Sequence, residues 1–209
     1  ETRMQYEHPE RVMGSSNRGR PSVASSGRSS VNKTAAGTSF GTFTTAKTVI
    51  NPQALFTFPA GFFSIGKRLN IRVQGGVGTL VTTPGTMVFQ VMIGSVIAFT
   101  TGNIQLNATA HTDLPFWLDI DLTCRAVGSG TSANLMGQGM LGGIMFTLTA
   151  AQVDAANTSG LFMAPTTTPT VGTGFDSTIA NILDFFVGFS ISNAANTITV
   201  DQYSVESLN

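Results

Sequence analysis

Charge is scarce in this chain: Asp, Glu, Lys and Arg together make up 11% of its 209 residues, under half of the ~25% that soluble domains carry. Eleven basic and eleven acidic residues cancel, so no overall field draws the chain to nucleic acid or to an acidic membrane. A surface so poor in charge suits a protein covered by its neighbours, which points to an oligomer. Cys124 is the one cysteine, which excludes an internal disulfide and any cysteine-rich metal site. A lone thiol fits assembly in a reducing cytoplasm. The two histidines, His8 and His111, form no pair at ligand spacing and no HExxH. No apolar run approaches the ~20 residues that span a bilayer. The polar, charged stretch from Glu1 to Asn17 is not expected to act as a secretory signal. Helix signals are nearly missing too. Thr149-Ala150-Ala151-Gln152 resembles a capping box and could support two turns at most before Asn157 and Gly160.

What is present divides at about residue 38. Residues 1–38 hold six of the eleven basic residues, Arg3, Arg11, Arg18, Arg20, Arg28 and Lys33, against the acids Glu1, Glu7 and Glu10. From Gly14 to Gly37 the chain is mostly Ser, Gly, Asn and Arg with no apolar period. Alone, such a segment cannot bury enough surface to offset its ordering entropy, so a flexible, extended arm is expected. It is either a loose tail or an arm that orders along a neighbouring subunit, with Arg18, Arg20, Arg28 and Lys33 as its partner-binding residues. Direct binding to packaged nucleic acid is disfavoured, because dedicated basic arms carry denser runs of Lys and Arg.

Residues 39–209 read as a β-sandwich domain. They are rich in Thr, Gly and β-branched residues, with strand patterns set between Gly, Pro and Asn. Leu69, Ile71 and Val73 alternate with Asn70, Arg72 and Gln74. Met87 to Ile93 is apolar on both faces, as in a central strand. Phe116 to Arg125 is the clearest case. There Phe116, Leu118, Ile120, Leu122 and Cys124 point one way, and Trp117, Asp119, Asp121, Thr123 and Arg125 the other. Further strands are expected over Leu141–Leu148, Leu183–Ile191 and Thr197–Val205, the last with a bulge near Gln202. Phe43–Ile50 and short pieces near Ile97 and Ile104 bring the total to eight or nine. Many strands without crossover helices specify an all-β, antiparallel two-sheet sandwich, most simply a jelly roll. Fifteen Phe against one Trp and two Tyr suit a core between two sheets. The pairs Phe62-Phe63 and Phe185-Phe186 are expected to put one ring on each face, so that one ring of each meets a second surface.

No residue set has the geometry of catalysis, and an enzyme is not expected. Ala110-His111-Thr112-Asp113 reads as an exposed turn. Asp119 and Asp121 share a strand face at ~7 Å; with Arg125 further along, charge pairing on an exposed or intersubunit surface explains them better than a cation. Trp117, Asp119, Asp121 and Arg125 are therefore candidates for an oligomer or surface contact. Gly137-Gln138-Gly139-Met140-Leu141-Gly142 matches GxGxxG, but strand residues follow where a phosphate site needs a helix. Its glycines instead let strands bend or approach closely. The NxS/T triplets at Asn32, Asn107 and Asn157 are read as chance matches. No cofactor or metal is expected.

Several stretches, in order, resemble a group of tailed-bacteriophage structural proteins. Pro59-Ala60-Gly61-Phe62-Phe63-Ser64-Ile65-Gly66-Lys67-Arg68-Leu69 is similar to the segment that opens their sandwich, followed by Leu-x-Ile/Val-x-Val-x-Gly, here Leu69 to Gly75. Leu118 to Gly128 resembles their central "LTCR-x-x-G" strand, with Leu135-Met136-Gly137-Gln138-Gly139 after it. Phe175-Asp176-Ser177-Thr178, Leu183-Asp184 and Asn196 to Glu206 resemble the later elements, so the likeness spans about residues 55–209. It implies a virion component, a capsid decoration (cement) protein, head fibre or tail-associated part, and it implies homotrimers. The partners it suggests are the major capsid protein or other virion proteins at the particle surface, after assembly in the host cytoplasm. A fibre or spike that binds host glycan through Trp117, Asp119 and Asp121 is a second reading. A jelly-roll shell protein is a third.

Overall fold

The computed structural model of the chain describes residues 28–29, 38–80, 82–147 and 159–208. Among them are thirteen strands and one 3-10 turn, Pro52–Ala54. The strands are β1 (Arg28–Ser29), β2 (Phe40–Gly41), β3 (Lys47–Thr48), β4 (Phe56–Phe58), β5 (Arg68–Thr79), β6 (Thr86–Ile93) and β7 (Val96–Thr100). They continue as β8 (Ile104–Leu106), β9 (His111–Ala126), β10 (Asn134–Thr147), β11 (Ser159–Ala164), β12 (Asn181–Phe189) and β13 (Thr197–Ser207). The fold is all-β and antiparallel, as expected.

The two layers belong to one continuous sheet of order β1-β13-β5-β9-β10-β8-β6-β12-β3. It curls at β8, where Gln105 pairs both with Thr147 of β10 and with Thr86 of β6. One layer is β13-β5-β9-β10, with β2 on β13 and β11 on β10; the other is β6-β12, with β7, β3 and β4 alongside. Period-two alternation then decides the core. Leu69, Ile71 and Val73 of β5 and Phe116, Leu118, Ile120 and Leu122 of β9 are buried. So are Met87, Phe89, Val91 and Ile93 of β6 and Leu183, Phe185, Val187 and Phe189 of β12. Phe89 joins the layers: its ring stacks on Phe116 of β9 at 5.5 Å and on Phe185 of β12 at 5.7 Å, and meets Phe146 of β10 edge-on at 6.0 Å. Each such side chain contributes ~1.5–3 kcal/mol by leaving water.

Several expectations need adjusting. The strand expected over Leu141–Leu148 begins at Asn134, because Gly137 and Gly139 lie inside it. A Cβ at Gly137 would strike the Phe99 ring, and one at Gly139 the backbone of Asp119. The glycines are thus sites of close approach, and a count of bulky residues misses the strand. β11 was not expected; short and glycine-containing, it gains its place by pairing with β10. Phe43–Ile50 contributes only β3. The bulge expected near Gln202 is present as the register shift between Val200 and Gln202. Phe62 and Phe63 do not lie on opposite faces of a strand. They sit in the turn after β4 and touch each other edge-on at 5.2 Å, both packed on Phe58, because a turn has no two-residue alternation. Phe185 and Phe186 do separate, one buried and one half-buried. Of the arm, Arg28–Ser29 pairs with Glu206 and Val205 of β13, while Arg18, Arg20 and Lys33 lie outside the described residues. So does the capping box at Thr149–Gln152. No described helix is long and apolar enough to cross a membrane.

Candidate functional site

The outward face of β5, β9 and β10 carries the densest chemistry. β9 projects Trp117, Asp119, Asp121, Thr123 and Arg125 away from the core, as the alternation requires. Strand register sets neighbours beside them: Arg72 opposite Asp119, Asn70 opposite Asp121 and Gln74 opposite Trp117 on β5. On β10 the opposites are Met140, Gln138 and Gly142. All of these but Gln74 and Gly142 line an open groove of about 630 Å³.

Asp119 and Asp121 are paired, but with β5. Arg72 Nε donates to Asp119 Oδ2 at 2.9 Å, and Arg68 Nη2 lies 3.4 Å from Asp121 Oδ2. The partners within the chain are on β5 rather than Arg125, because a residue opposite or diagonal across the ladder is closer than one four or six places along the same strand. No ion pair of Arg125 occurs among the described residues. Between the two pairs lies Asn70, 7% exposed. Its amide Nδ2 donates to Asp119 Oδ1 at 2.6 Å and to Asp121 Oδ1 at 3.3 Å. Its Oδ1 is buried with no partner among the described residues.

Trp117 lies beside this polar row. A Cβ on Gly142 would come within 2.7 Å of indole Cε2 and 3.0 Å of Cδ1, so the five-membered ring lies across Gly142 of β10. Only a glycine leaves that space. Beyond the row, on β10 and β11, the face turns apolar: Met140, Ile144, Leu161 and Met163 are all exposed, the last three by about 60% (61%, 59% and 62%), and Met140 and Met163 also line the groove. Met163 sits opposite Met140, and Leu161 opposite Gly142, so these side chains form adjoining rows on β10 and β11. Arg68, Asn70 and Arg72 were legible as the outward set of β5, but nothing local to them names Asp119 and Asp121 as partners. Leu161 and Met163 gave no signal beyond a short apolar stretch.

Other candidates fall elsewhere. His111 is half-buried at the start of β9 opposite Thr79, a correction to its reading as an exposed turn residue; β9 runs further back than its apolar alternation does. Its Nε2 is buried and unpartnered among the described residues. The GxGxxG glycines lie within β10. The Cys124 thiol is buried and donates to the Ala126 carbonyl at 3.3 Å; burial pushes its pKa up. Asp184 on β12 accepts from Thr48 Oγ1 at 2.7 Å, and burial still raises its carboxyl above the ordinary range. Asp176 is held below that range by Thr178, whose hydroxyl and amide both donate to it, and by the Gly130 amide. Burial, with the charge of Asp184, raises the Tyr203 phenol strongly. Among the described residues no three His, Cys, Asp or Glu side chains are grouped to hold a metal ion.

No protein-family model and no curated protein matches the chain. Among solved structures, a chain described as the CBM2 module of the evolved Dit of Lactobacillus casei BL23 phage J-1 is 14% identical over 66% of this chain and 70% of that one, with a TM-score of 0.19.

Proposed function

We propose that the chain is a non-enzymatic structural subunit of a bacteriophage particle: a capsid decoration protein that sits as a trimer where capsomers meet. The exposed apolar rows of β10 and β11 carry this reading. Free monomers rarely leave a large contiguous apolar patch in water, and an edge strand with apolar side chains invites pairing unless something covers it. Here Ile144, Leu161 and Met163 form such a patch on and beside the edge strand β11. Scarce charge leaves little else to keep the surface solvated. The particle's own proteins are the occupants that fit. The basic arm, residues 1–38, extends the contact across neighbours, with Arg18, Arg20, Arg28 and Lys33 meeting acidic patches on the shell.

The test is attachment to expanded heads. Removing residues 1–37 abolishes attachment while the sandwich keeps its unfolding transition, and Leu161→Glu weakens attachment in the full chain. Normal attachment by both variants removes the proposal. Sedimentation of the purified protein reads the trimer directly.

A further inference from the structure

The groove holds an arrangement that attachment to protein does not use. Asn70 is nine-tenths buried, its amide nitrogen is spent on two carboxylates, and its carbonyl oxygen has nothing to accept among the described residues. Turning the amide over gives no relief, because Oδ1 would then face Asp119 and Asp121, which are acceptors as well. The deficit is therefore one of donors. A cation suits the site poorly, since an arginine already neutralises each carboxylate and hard cations gather six or more oxygens. An anion suits the Asn70 end no better, because Arg68 and Arg72 are committed to those carboxylates and Arg125, which also lines the groove, stands eight residues along β9 from Trp117. Hydroxyl groups fit. They donate to the free lone pairs of the carboxylates, and they accept from the Gln138 amide.

Trp117 supplies the other half. Its ring lies across Gly142, and the residue is 39% exposed, so the indole is a flat apolar platform fixed at the groove's edge. Asp119 follows on the same face at ~7 Å. A molecule with an apolar face and a rim of hydroxyls matches both features, and a pyranose ring is such a molecule. The groove of about 630 Å³ lies within the ~300–1,000 Å³ of ordinary ligand sites. We propose that it binds a neutral saccharide, with one sugar ring stacked on Trp117 and its hydroxyls held by Asp119, Asp121 and Gln138, the two carboxylates being positioned by Asn70.

Trp117 is the sole tryptophan, so its emission reports on the site directly. The full chain is titrated with neutral gluco-, galacto- and manno-oligosaccharides. A saturable change with at least one of them is the expected result. Calorimetry then shows Trp117→Ala weakening that sugar by roughly tenfold or more, the equivalent of ~1.4 kcal/mol. Gln138→Ala, an exposed residue outside the ion pairs, weakens it with the fold intact and carries the test should Trp117→Ala not fold. No response across the panel overturns the proposal. So does binding that survives both substitutions, or binding of acidic sugars alone. Gln138→Ala leaves head attachment unchanged and removal of residues 1–37 leaves sugar binding unchanged, so either function can fail without the other.

Discussion

Replacing Phe89 by Ala probes the contact on which the layered fold depends. The ring is fully buried and touches Phe116, Phe146 and Phe185, which come from three different strands. Truncating a buried Phe costs ~3–5 kcal/mol. Three lost ring contacts at ~0.5–1.5 kcal/mol each place this site at the upper end, about 4–5 kcal/mol. At ~2–4 °C per kcal/mol for a domain of this size, Tm falls by roughly 10 °C or more. Urea unfolding followed by Trp117 emission measures the change, with an unaltered m-value showing that the unfolded state is the same. Phe62→Ala, at a half-buried ring in a turn, costs less. A Phe89 and Phe116 double-mutant cycle shows a coupling energy, because the rings touch. A loss below ~1.5 kcal/mol for Phe89→Ala, comparable with an Ile→Val change, would refute face-to-face packing of the layers at this point.

Two further outcomes follow from the titratable groups. Cys124, enclosed in β9 with a raised pKa, reacts with a thiol reagent only as fast as the chain unfolds; rapid labelling of the native protein contradicts its placement. Asp184 and Asp176 give opposite pH trends. The Asp184 carboxyl is raised from 3.8, so its contribution is fully present below that value and is lost as pH rises through the folded pKa; Asp184→Asn flattens this part of the stability curve. The Asp176 carboxyl is lowered from 3.8, so its contribution holds above that value and is lost as pH falls through the folded pKa; Asp176→Asn removes that acid loss. Urea midpoints across pH 2–6 at fixed salt separate the two, and identical curves for all three proteins would contradict both assignments.

Much of the architecture is legible along the chain because a strand's side-chain period is two and a buried face tolerates only apolar groups. Phe116 to Arg125 shows this best: all ten residues lie on the face their alternation demands. The same logic breaks down where glycine replaces a bulky residue, as in β10, since a missing side chain marks a close approach that only the neighbouring strand explains. It breaks down again in turns, where Phe62 and Phe63 follow no period.

The sequence by itself determined which residues face outward on each clear strand, that the fold is β throughout, and that its surface carries little charge. Which outward residues meet was decided by tertiary structure alone. Asn70 finds Asp119 and Asp121 at separations of 49 and 51 residues, and Trp117 finds its seat on Gly142 across a hairpin. Alternation selects a face by local burial, whereas strand order and register are settled by the whole core closing at once, and no single segment contains that information.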